Sequence, residues 1–411
     1  TGRATSGTFV IDPLPAPSVA WFEAAPAFEL PPAVPANPPI PRRRDLLLML
    51  GGVPDLRFLP HRALARAYHS ALAGRSSRAL LDYAEPQGNP RLRAALGELL
   101  SRTRGVQADP RTILVVRGSQ EALYLTTRAL LRPGEAVAVE AIGYPATRDV
   151  LRQAGVEVIP IPVDPAGMDV DALEATLERR PLRAVVVTPH HQYPTTVTLS
   201  QERRARLLAL ARRHHLVVIE DDYDFEFHYD VPPVLPLASV DPGPVVYVGT
   251  LSKTLAPGLR LGWVVAHPEV VERLTAYRSL VDQQGDHVLE QAVALMLEDG
   301  DVQRHTRRAA RAYRARRDHL CGLLRDRLPQ LEFTPPAGGM AVWARAPGID
   351  VDPWAARGHA LGVAFQSGRG FWADPLTGRC EHLRVGFAAC DEQEMDEAVA
   401  RMVQALPPEA R

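Results

Sequence analysis

The chain has 411 residues, of which 46% are hydrophobic and 23% are charged, and its formal net charge is -1. This balance is ordinary for a globular protein, and it leaves no overall positive field that would favour nucleic acid or an acidic membrane surface. The length predicts a large domain together with a smaller one.

The cysteines and the apolar runs indicate the compartment. Cys321, Cys380 and Cys390 are too few for a disulfide framework, which fits a reduced, cytoplasmic setting. No apolar run approaches the length that a membrane-spanning helix needs, and the N-terminus lacks the apolar core of a signal peptide. We therefore expect a cytoplasmic protein with no membrane partner.

Two segments precede the predicted folded body. In residues 1–12 a glycine-containing turn followed by the stretch 8–11 predicts the last strand of a hairpin, with a disordered terminus as the alternative. Residues 13–41 are rich in proline, which predicts a semi-rigid spacer. The arginines at 42–44 form a short charge run that a solvated surface explains.

The folded body is predicted to begin near Asp45. Gly51 and Gly52 open a turn in which the backbone can approach a ligand closely, although a plain tight turn would have the same composition. Residues 61–73 have the composition of a helix. Asn89 followed by Pro90 predicts the start of another helix, because the two residues suit its cap and its first position.

Apolar runs then alternate with helical stretches between residues 113 and 266. Runs of this kind are typical of a parallel sheet covered on both faces, and the alternation predicts a doubly wound α/β domain. The predicted strands are 113–116, 136–140, 156–163, 184–188, 217–221, 245–248 and 262–266, with helices such as 123–131 and 201–214 between them.

The last third of the chain changes character. Two helices are predicted first, at 286–299 and 302–328, and the second is long. After them strands and helices mix, which predicts a smaller α+β domain. Its predicted strands are 339–344, 363–366 and 383–387, and its predicted helices are 352–361 and 391–406.

Lys253 is the only lysine among the 47 lysines and arginines. Arginine serves wherever a positive charge suffices, but its guanidinium stays protonated and cannot attack a carbonyl group. A buried lysine can lose its proton and form a Schiff base. Lys253 follows the predicted strand 245–248 in a loop, where active-site residues of α/β sheets are found, so a surface lysine left by chance is the weaker interpretation.

Gly118, Ser119 and Gln120 follow the predicted strand 113–116 and open a helix. The free N–H groups and the dipole at such a helix start favour a phosphate group. Any junction of strand, glycine, serine and helix has the same pattern, so the motif alone is weak.

An acidic cluster ends the predicted strand 217–221. Glu220, Asp221 and Asp222 are followed by Tyr223. Such residues can simply end a strand and cap the next segment, and an acidic cluster can also bind a metal ion. No second ligand group with fixed spacing accompanies this one, so we expect no metal.

These motifs resemble those of aminotransferases of fold type I, which bind pyridoxal 5′-phosphate (PLP). The run S-K-T-L-A-P-G-L-R-L-G-W at 252–263 is similar to the family's lysine loop, and E-D-D-Y-D at 220–224 is similar to its acidic strand end. H-Q-Y-P at 191–194 resembles most the MocR-type regulators of the GntR superfamily, whose C-terminal half is aminotransferase-like. The matching motifs run from about Gly51 to Arg384.

The resemblance implies a PLP site with named roles. Lys253 would bind the cofactor and act as general base, Asp221 would keep the ring nitrogen protonated, and Tyr223 would donate to the ring's phenolic oxygen. Arg384 would grip the substrate carboxylate, with Gly52 beside the substrate. The other cofactor-binding residues that it implies are Gly118, Ser119, Gln120, Tyr144, Tyr193, Thr250, Ser252 and Arg260, together with Tyr83, which would reach the phosphate in the partner subunit of a homodimer.

Two residues depart from the pattern of ordinary aminotransferases. Those enzymes carry Asn-Pro-Thr-Gly where this chain has Tyr193 in place of the asparagine and Thr196 in place of the glycine. The first change is common in MocR-type regulators. The second weakens the expectation of a tight turn, because glycine enters left-handed backbone conformations most easily.

We therefore predict a PLP-dependent transferase of fold type I, with a wing remnant and linker at 1–44, an active-site edge segment at 45–90 that contributes to the small domain, a large domain at 91–300 and a small domain at 301–411. The implied function is the effector domain of a MocR-type regulator, which senses an amino compound through aldimine exchange at Lys253. DNA would be bound only by a winged helix-turn-helix that this sequence lacks. The alternative is a free-standing class I/II aminotransferase acting on an amino acid and a 2-oxo acid.

Overall fold

The chain divides into two units, residues 1–44 and 45–411. The computed structural model describes residues 2–3, 7–8, 26, 28–30, 45–74, 77–230 and 232–408. In the first unit Gly2–Arg3 (β1) pairs antiparallel with Gly7–Thr8 (β2), and Thr8 is the one described residue of the predicted strand 8–11. Residues 9–11 and most of the predicted proline-rich spacer lie outside the described residues.

The second unit contains every candidate site residue. Its strands, in chain order, are β3 (Leu47–Leu48), β4 (Ile113–Val116), β5 (Ala136–Glu140), β6 (Glu157–Ile161), β7 (Val163–Asp164), β8 (Gly167–Met168), β9 (Ala184–Val187), β10 (Val217–Asp222), β11 (Val245–Thr250), β12 (Gly262–Val265), β13 (Glu332–Phe333), β14 (Ala341–Arg345), β15 (Val363–Ala364), β16 (Gln366–Ser367) and β17 (His382–Gly386).

The helices of this unit are α1 (His61–Ala73), α2 (Ser77–Leu80), α3 (Pro90–Arg104), α4 (Ser119–Leu130), α5 (Pro145–Gln153), α6 (Val170–Arg179), α7 (Gln201–His214), α8 (Leu237–Val240), α9 (Pro268–Val281), α10 (His287–Glu298), α11 (Asp301–Arg327), α12 (Val351–Ala360) and α13 (Glu392–Ala405). Short 3-10 turns lie at Leu56–Phe58, Pro110–Thr112, Pro257–Leu259 and Gly368–Phe371. Within the described residues, no helix is both long enough and apolar enough to cross a bilayer.

Seven strands form the larger sheet, in the order β4-β12-β11-β10-β9-β5-β6. The neighbours from β11 to β6 are parallel, whereas β12 runs antiparallel to β11 and to β4. β4 and β9 are buried along their whole length, as a sheet covered on both faces requires. The predicted doubly wound, mostly parallel sheet is confirmed.

Each face of this sheet has its own apolar core. Successive strand residues point to opposite faces, so Val185 and Val187 enter one core and Val186 enters the other. Helices α3, α7 and α10 supply the first core, and α4, α5 and α9 supply the second.

Local capping chemistry fixes the helix starts. The Asn89 side chain accepts hydrogen bonds from the N–H groups of Arg91 and Leu92, with Pro90 in the first helical position of α3, as predicted. At α13, Asp391 and Glu394 form a capping box in which each side chain accepts from the other's backbone.

The smaller sheet has the order β13-β14-β17-β16 and its own core. Met49 belongs to this core, whereas Ala63 and Ala67 of α1 pack in the large-sheet core, so the segment 45–90 serves both cores. The prediction of one strand at 363–366 is wrong. The segment forms two short strands, of which β15 pairs with β3 and β16 pairs with β17. Phe365, between them, is buried in the smaller core.

Candidate active site

Lys253 lies in the loop that follows β11, at the carboxyl edge of the larger sheet. β10 and β11 are parallel neighbours, and Asp221 of β10 pairs with Val248 of β11. The carboxyl ends of parallel strands meet at one edge of a sheet, where open α/β proteins place their ligands. The structure therefore brings Lys253 and Asp221 to the same edge.

The surroundings of Lys253 favour a neutral amine. Burial lowers the pKa of Lys253 to about 8, and the positive charges of Arg384 and Arg260 act in the same direction, while Asp224 and Asp221 oppose them. A lysine with a lowered pKa is neutral at mildly alkaline pH, and the neutral amine is the form that attacks a carbonyl group.

Gly52 lies against this amine. Its φ is +76°, and a Cβ added to it would lie 3.3 Å from Lys253 Nζ. The positive φ and the close approach both favour glycine. Gly52 is thus at the site, as the resemblance implied.

Asp221 and Asp222 are consecutive buried carboxylates with different surroundings. Asp222 Oδ2 accepts a hydrogen bond from the Tyr247 hydroxyl at 2.6 Å and lies 3.5 Å from Arg104 Nη1. Asp221 Oδ1 has no hydrogen-bond partner among the described residues. Burial and then repulsion from Asp222 raise the pKa of Asp221 to about 7. Asp222 Oδ1 also lacks a hydrogen-bond partner among the described residues, but the charge of Lys253 acts on Asp221, so Asp221 is the carboxyl group on the Lys253 side that can receive a cationic N–H group.

Tyr223 and the residue after it hold the neighbouring loop. The Tyr223 hydroxyl donates to the backbone carbonyl of His191 at 2.9 Å. Asp224 Oδ1 lies 2.7 Å from His191 Nδ1. Asp224 was not among the predicted site residues, although its place at the end of the E-D-D-Y-D motif could have identified it. In the described part of the chain, no three His, Cys, Asp or Glu side chains converge as metal ligands.

Arg260 lies against the N-terminus of α4. Gly118 caps this helix with a φ of +88°, and a Cβ added to Gly118 would lie 3.0 Å from Arg260 Nη2. The same nitrogen donates to the Arg117 carbonyl at 2.6 Å. A guanidinium beside the free N–H groups of a helix start makes an anion site. Ser119, half-buried, and Gln120, exposed, begin α4.

The hydroxyls of Thr250 and Ser252 lie next to each other, 3.0 Å apart. Both residues are buried, and the Ser252 N–H group donates to Thr250 Oγ1 at 3.1 Å. Thr250 Oγ1 also lies 3.1 Å from the Leu261 carbonyl, next to Arg260 in the chain. These hydroxyls and Arg260 are thus parts of one loop, from 250 to 261.

Arg384, in β17, is a fully buried cation that forms no salt bridge with the residues that the structure describes. None of its three guanidinium nitrogens has a hydrogen-bond partner among the described residues. Its Cζ atom lies 4.2 Å from the centroid of the Tyr193 ring. A buried charge that lacks a partner is costly, so this arrangement calls for an anionic ligand.

Tyr144 stands beside Tyr193, with ring centroids 5.3 Å apart and an angle of 70° between the ring planes. Tyr144 is 36% exposed, so its ring has a free surface at the mouth of the site. Tyr83, in contrast, is 84% exposed. The fold of one chain leaves Tyr83 on the surface, where its ring can contact another molecule.

Glu140, which no sequence motif singles out, holds the loop that carries Tyr193 through a hydrogen bond with Thr188. The Thr188 hydroxyl donates to Glu140 Oε2 at 2.6 Å, and Thr188 Oγ1 accepts from the Tyr193 N–H group at 3.1 Å. The tight turn that Thr196 made uncertain is present. Thr196 adopts a φ of +64°, and its N–H group donates to the Gln192 carbonyl at 2.6 Å.

The doubly wound sheet, the lysine at its carboxyl edge and the adjoining anion site define a PLP-dependent transferase of fold type I. Residues 52–402 match the family of class I and II aminotransferases, and the chain belongs to that family.

Relatives of two kinds are similar to the chain. Aromatic-amino-acid aminotransferase 1 of Thermococcus litoralis is 31% identical over 375 residues, which cover 89% of each chain. The HTH-type transcriptional regulator TauR of Rhodobacter capsulatus is 37% identical over 305 residues, which cover 74% of this chain and 62% of TauR. Among solved structures, LysN, the α-aminoadipate aminotransferase of Thermus thermophilus complexed with N-(5′-phosphopyridoxyl)-L-leucine, has a TM-score of 0.82 and 29% identity, with 88% of this chain and 92% of LysN covered.

PLP is the cofactor of this family, and the residues present fit it. Lys253 offers an amine with a lowered pKa, and Asp221 offers a buried oxygen without a partner among the described residues. Arg260 and the start of α4 offer a phosphate site. These are three of the features that PLP requires of a protein.

Proposed function

We propose that the chain binds an α-amino carboxylate at PLP held by Lys253. The observation that carries the proposal is Arg384, a fully buried guanidinium whose nitrogens lack partners among the described residues. Its charge acts on Lys253, so the two groups lie close enough for one small ligand to meet both. A guanidinium edge binds a carboxylate through two parallel hydrogen bonds.

The residues of the site have distinct tasks in this proposal. When bound, PLP accepts electrons from the ligand carbon next to the nitrogen. Lys253 Nζ would hold the cofactor and could move a proton as a general base when it is free. Asp221 would hold the positive charge at the ring nitrogen. The start of α4 with Thr250, Ser252 and Arg260 would hold the phosphate, and Tyr144, Tyr193 and Tyr223 would lie beside the ring.

We further infer that binding serves to sense the ligand, in the effector domain of a MocR-type regulator. Two observations support this role: the 37% identity to TauR and Tyr193 in the position where ordinary aminotransferases carry asparagine. Ligand binding would shift a conformational equilibrium, and a separate DNA-binding domain would respond to the shift.

The second candidate function is that of a free-standing aminotransferase. The match to the Thermococcus litoralis enzyme supports it, because that match covers 89% of both chains. Lys253 and Asp221 also provide both the amine and the acidic group that the first half-reaction needs.

We also propose a homodimer, supported by apolar side chains at the surface. Leu81, Tyr83 and Leu280 are 70%, 84% and 84% exposed. The Ala84 N–H group donates to Gln284 Oε1 at 2.6 Å, which joins the segment of Leu81 and Tyr83 to the end of α9, and neighbouring exposed apolar side chains favour a protein interface. In the dimer Tyr83 would reach the cofactor phosphate of the partner subunit. Light scattering tests the dimer, and a monomer at micromolar concentration would contradict it.

A turnover experiment separates sensor from enzyme. The PLP-loaded protein is mixed with an amino donor and an excess of a 2-oxo acid, and the amino product is counted per active site. A sensor gives at most one product per site, together with an absorbance change on ligand binding. Many products per site would establish the enzyme, and no absorbance change with any amino acid would contradict both functions.

A further inference from the structure

Arg384 is contacted by two segments that are distant in the chain. Gly51 is one of them, because a Cβ added there would overlap Cζ, Nη1 and Nε of Arg384. The near-equal approach to these three atoms places Gly51 over a face of the guanidinium. The Tyr193 ring is the other, at 4.2 Å from Cζ. We propose that Tyr193 and Gly51 are positioning residues that clamp Arg384 and direct its N–H groups at the ligand carboxylate.

The Tyr193 ring is itself held firmly. It makes edge contacts with Tyr144, Tyr223 and Phe371, with centroid distances of 5.3, 6.0 and 5.4 Å. Its backbone N–H group is bound by the Thr188 hydroxyl. A ring fixed on several sides cannot follow Arg384 if the guanidinium swings, so it limits the directions in which the guanidinium points.

The chemistry of the clamp suits a binding arginine. The face of an aromatic ring attracts a cation without accepting a conventional hydrogen bond from it. A carboxylate in the same place would take up the N–H groups that the ligand needs, as Asp222 and Glu226 do for Arg104. Tyr193 thus stabilises the buried charge in the absence of ligand and leaves its donors free.

This inference rests on the proposed function and adds a consequence for specificity. The clamp acts only on the carboxylate end of the ligand. Its loss should therefore weaken the binding of an amino acid while the binding of the matching amine, which lacks the carboxylate, is little changed. A residue that merely supports the fold would affect both compounds equally.

The test compares the wild type with Tyr193→Leu, Tyr193→Phe and Gly51→Ala, all loaded with PLP. Absorbance titrations use matched pairs: alanine and ethylamine, leucine and 3-methylbutylamine, phenylalanine and phenethylamine. For the pair with the largest wild-type preference for the amino acid, we expect that preference to fall about three- to thirty-fold in Tyr193→Leu, the range of a cation–π contact. Tyr193→Phe should keep it, because the ring remains, and Gly51→Ala should lose it.

Several results would overturn the clamp. One is an equal loss for amino acid and amine in Tyr193→Leu. Another is a loss in Tyr193→Phe as large as in Tyr193→Leu, which would assign the effect to the hydroxyl. A third is an unchanged preference for the amino acid in Tyr193→Leu. No preference for any amino acid in the wild type would also overturn it.

The proposed function fails in a distinguishable way. If it is wrong, the wild type takes up no PLP at Lys253, and borohydride fixes none. If only the clamp is wrong, PLP uptake and ligand binding are normal, and the variants lose no selectivity for the carboxylate.

Discussion

Arg104 and Arg384 are both fully buried, yet their surroundings are opposite. Arg104 makes hydrogen bonds to Tyr247 and Glu226 and lies 3.5 Å from Asp222. Arg384 has no hydrogen-bond partner in the described part of the chain. Because a buried charge is tolerated when it is paired, the first arginine belongs to the scaffold. The second has no partner in the described part of the chain, and under the proposed function the ligand carboxylate would pair with it.

The two neighbouring aspartates of β10 differ in the same way. Arg104 and Tyr247 take up Asp222, which leaves Asp221 as the carboxyl group that faces the site. The pair of Asp222 and Arg104, which stabilises the fold, is thus next to Asp221, the carboxyl group proposed to act in the site. The two roles belong to consecutive residues of β10.

Removing the scaffold cation should have the largest effect on stability. Arg104→Met leaves Asp222 and Glu226 without their cation, so we expect a loss of about 3–5 kcal/mol in the free energy of unfolding. Urea denaturation measures it. Arg102→Met is the matched control, since Arg102 forms only an exposed pair with Glu98, and equal stabilities of the two variants would contradict the scaffold role.

Arg384→Met should lower the affinity for the ligand and leave the stability of the fold intact, the reverse of Arg104→Met. Arg384→Met removes a buried cation that has no partner among the described residues, so the stability of the cofactor-free protein should stay the same or rise. Amino-acid affinity should fall about 100-fold or more, because a buried charge pair is lost. Denaturation and absorbance titration check both parts. A destabilisation as large as that of Arg104→Met would show that Arg384 is a scaffold residue too.

The pH dependence of cofactor attachment tests the charges around Lys253. Its folded pKa is about 8, below the ordinary 10.5, so the amine loses its proton as the pH rises through 8. We expect the rate of covalent PLP uptake to increase about tenfold between pH 7 and pH 9 and then to level off. Stopped-flow absorbance gives the midpoint. In Arg384→Met the midpoint should move up, and a wild-type midpoint near 10.5 would rule out the lowered pKa.

The same shift has a consequence for stability. The unfolded chain binds more protons at Lys253 than the folded chain between pH 8 and 10.5. The contribution of this group to the stability of the cofactor-free protein therefore rises with pH in that window. Lys253→Met should remove this pH dependence.

The smallest expected change in the free energy of unfolding concerns the turn at Thr196, which follows Tyr193 in the same loop. Thr196 is β-branched and adopts a φ of +64°, a conformation that costs such a residue stability. Thr196→Gly should raise the free energy of unfolding by about 1 kcal/mol. Thr176→Gly, inside α6, should lower it by about 0.3 kcal/mol. Destabilisation by both changes would show that the turn is not strained.

Local chemistry made much of the fold predictable from the sequence. The apolar runs at 113–116 and 136–140 are strands with the predicted bounds, because a fully covered parallel strand must be apolar on both faces. Asn89 with Pro90 and Gly118 begin helices, because capping depends on neighbouring residues. Lys253 could be predicted as the cofactor-binding amine because the chain has no other lysine.

Non-local pairing could not be predicted in the same way. Arg104 and Asp222 are 118 residues apart, and one arginine among so many carries no mark of its partner. Glu140 ends an apolar strand, and only the fold places Thr188 beside it. The composition of β12 specifies neither its place in the sheet nor its antiparallel direction.

Reductive labelling shows whether PLP is attached to Lys253. The wild type and Lys253→Ala are incubated with PLP, reduced with borohydride, digested and mapped by mass spectrometry. Because the chain has no other lysine, the N-terminal amine is the only rival amino group. We expect one label, on the peptide containing Lys253, and none in the variant. An unlabelled wild-type Lys253, or the same label in both proteins, would contradict it.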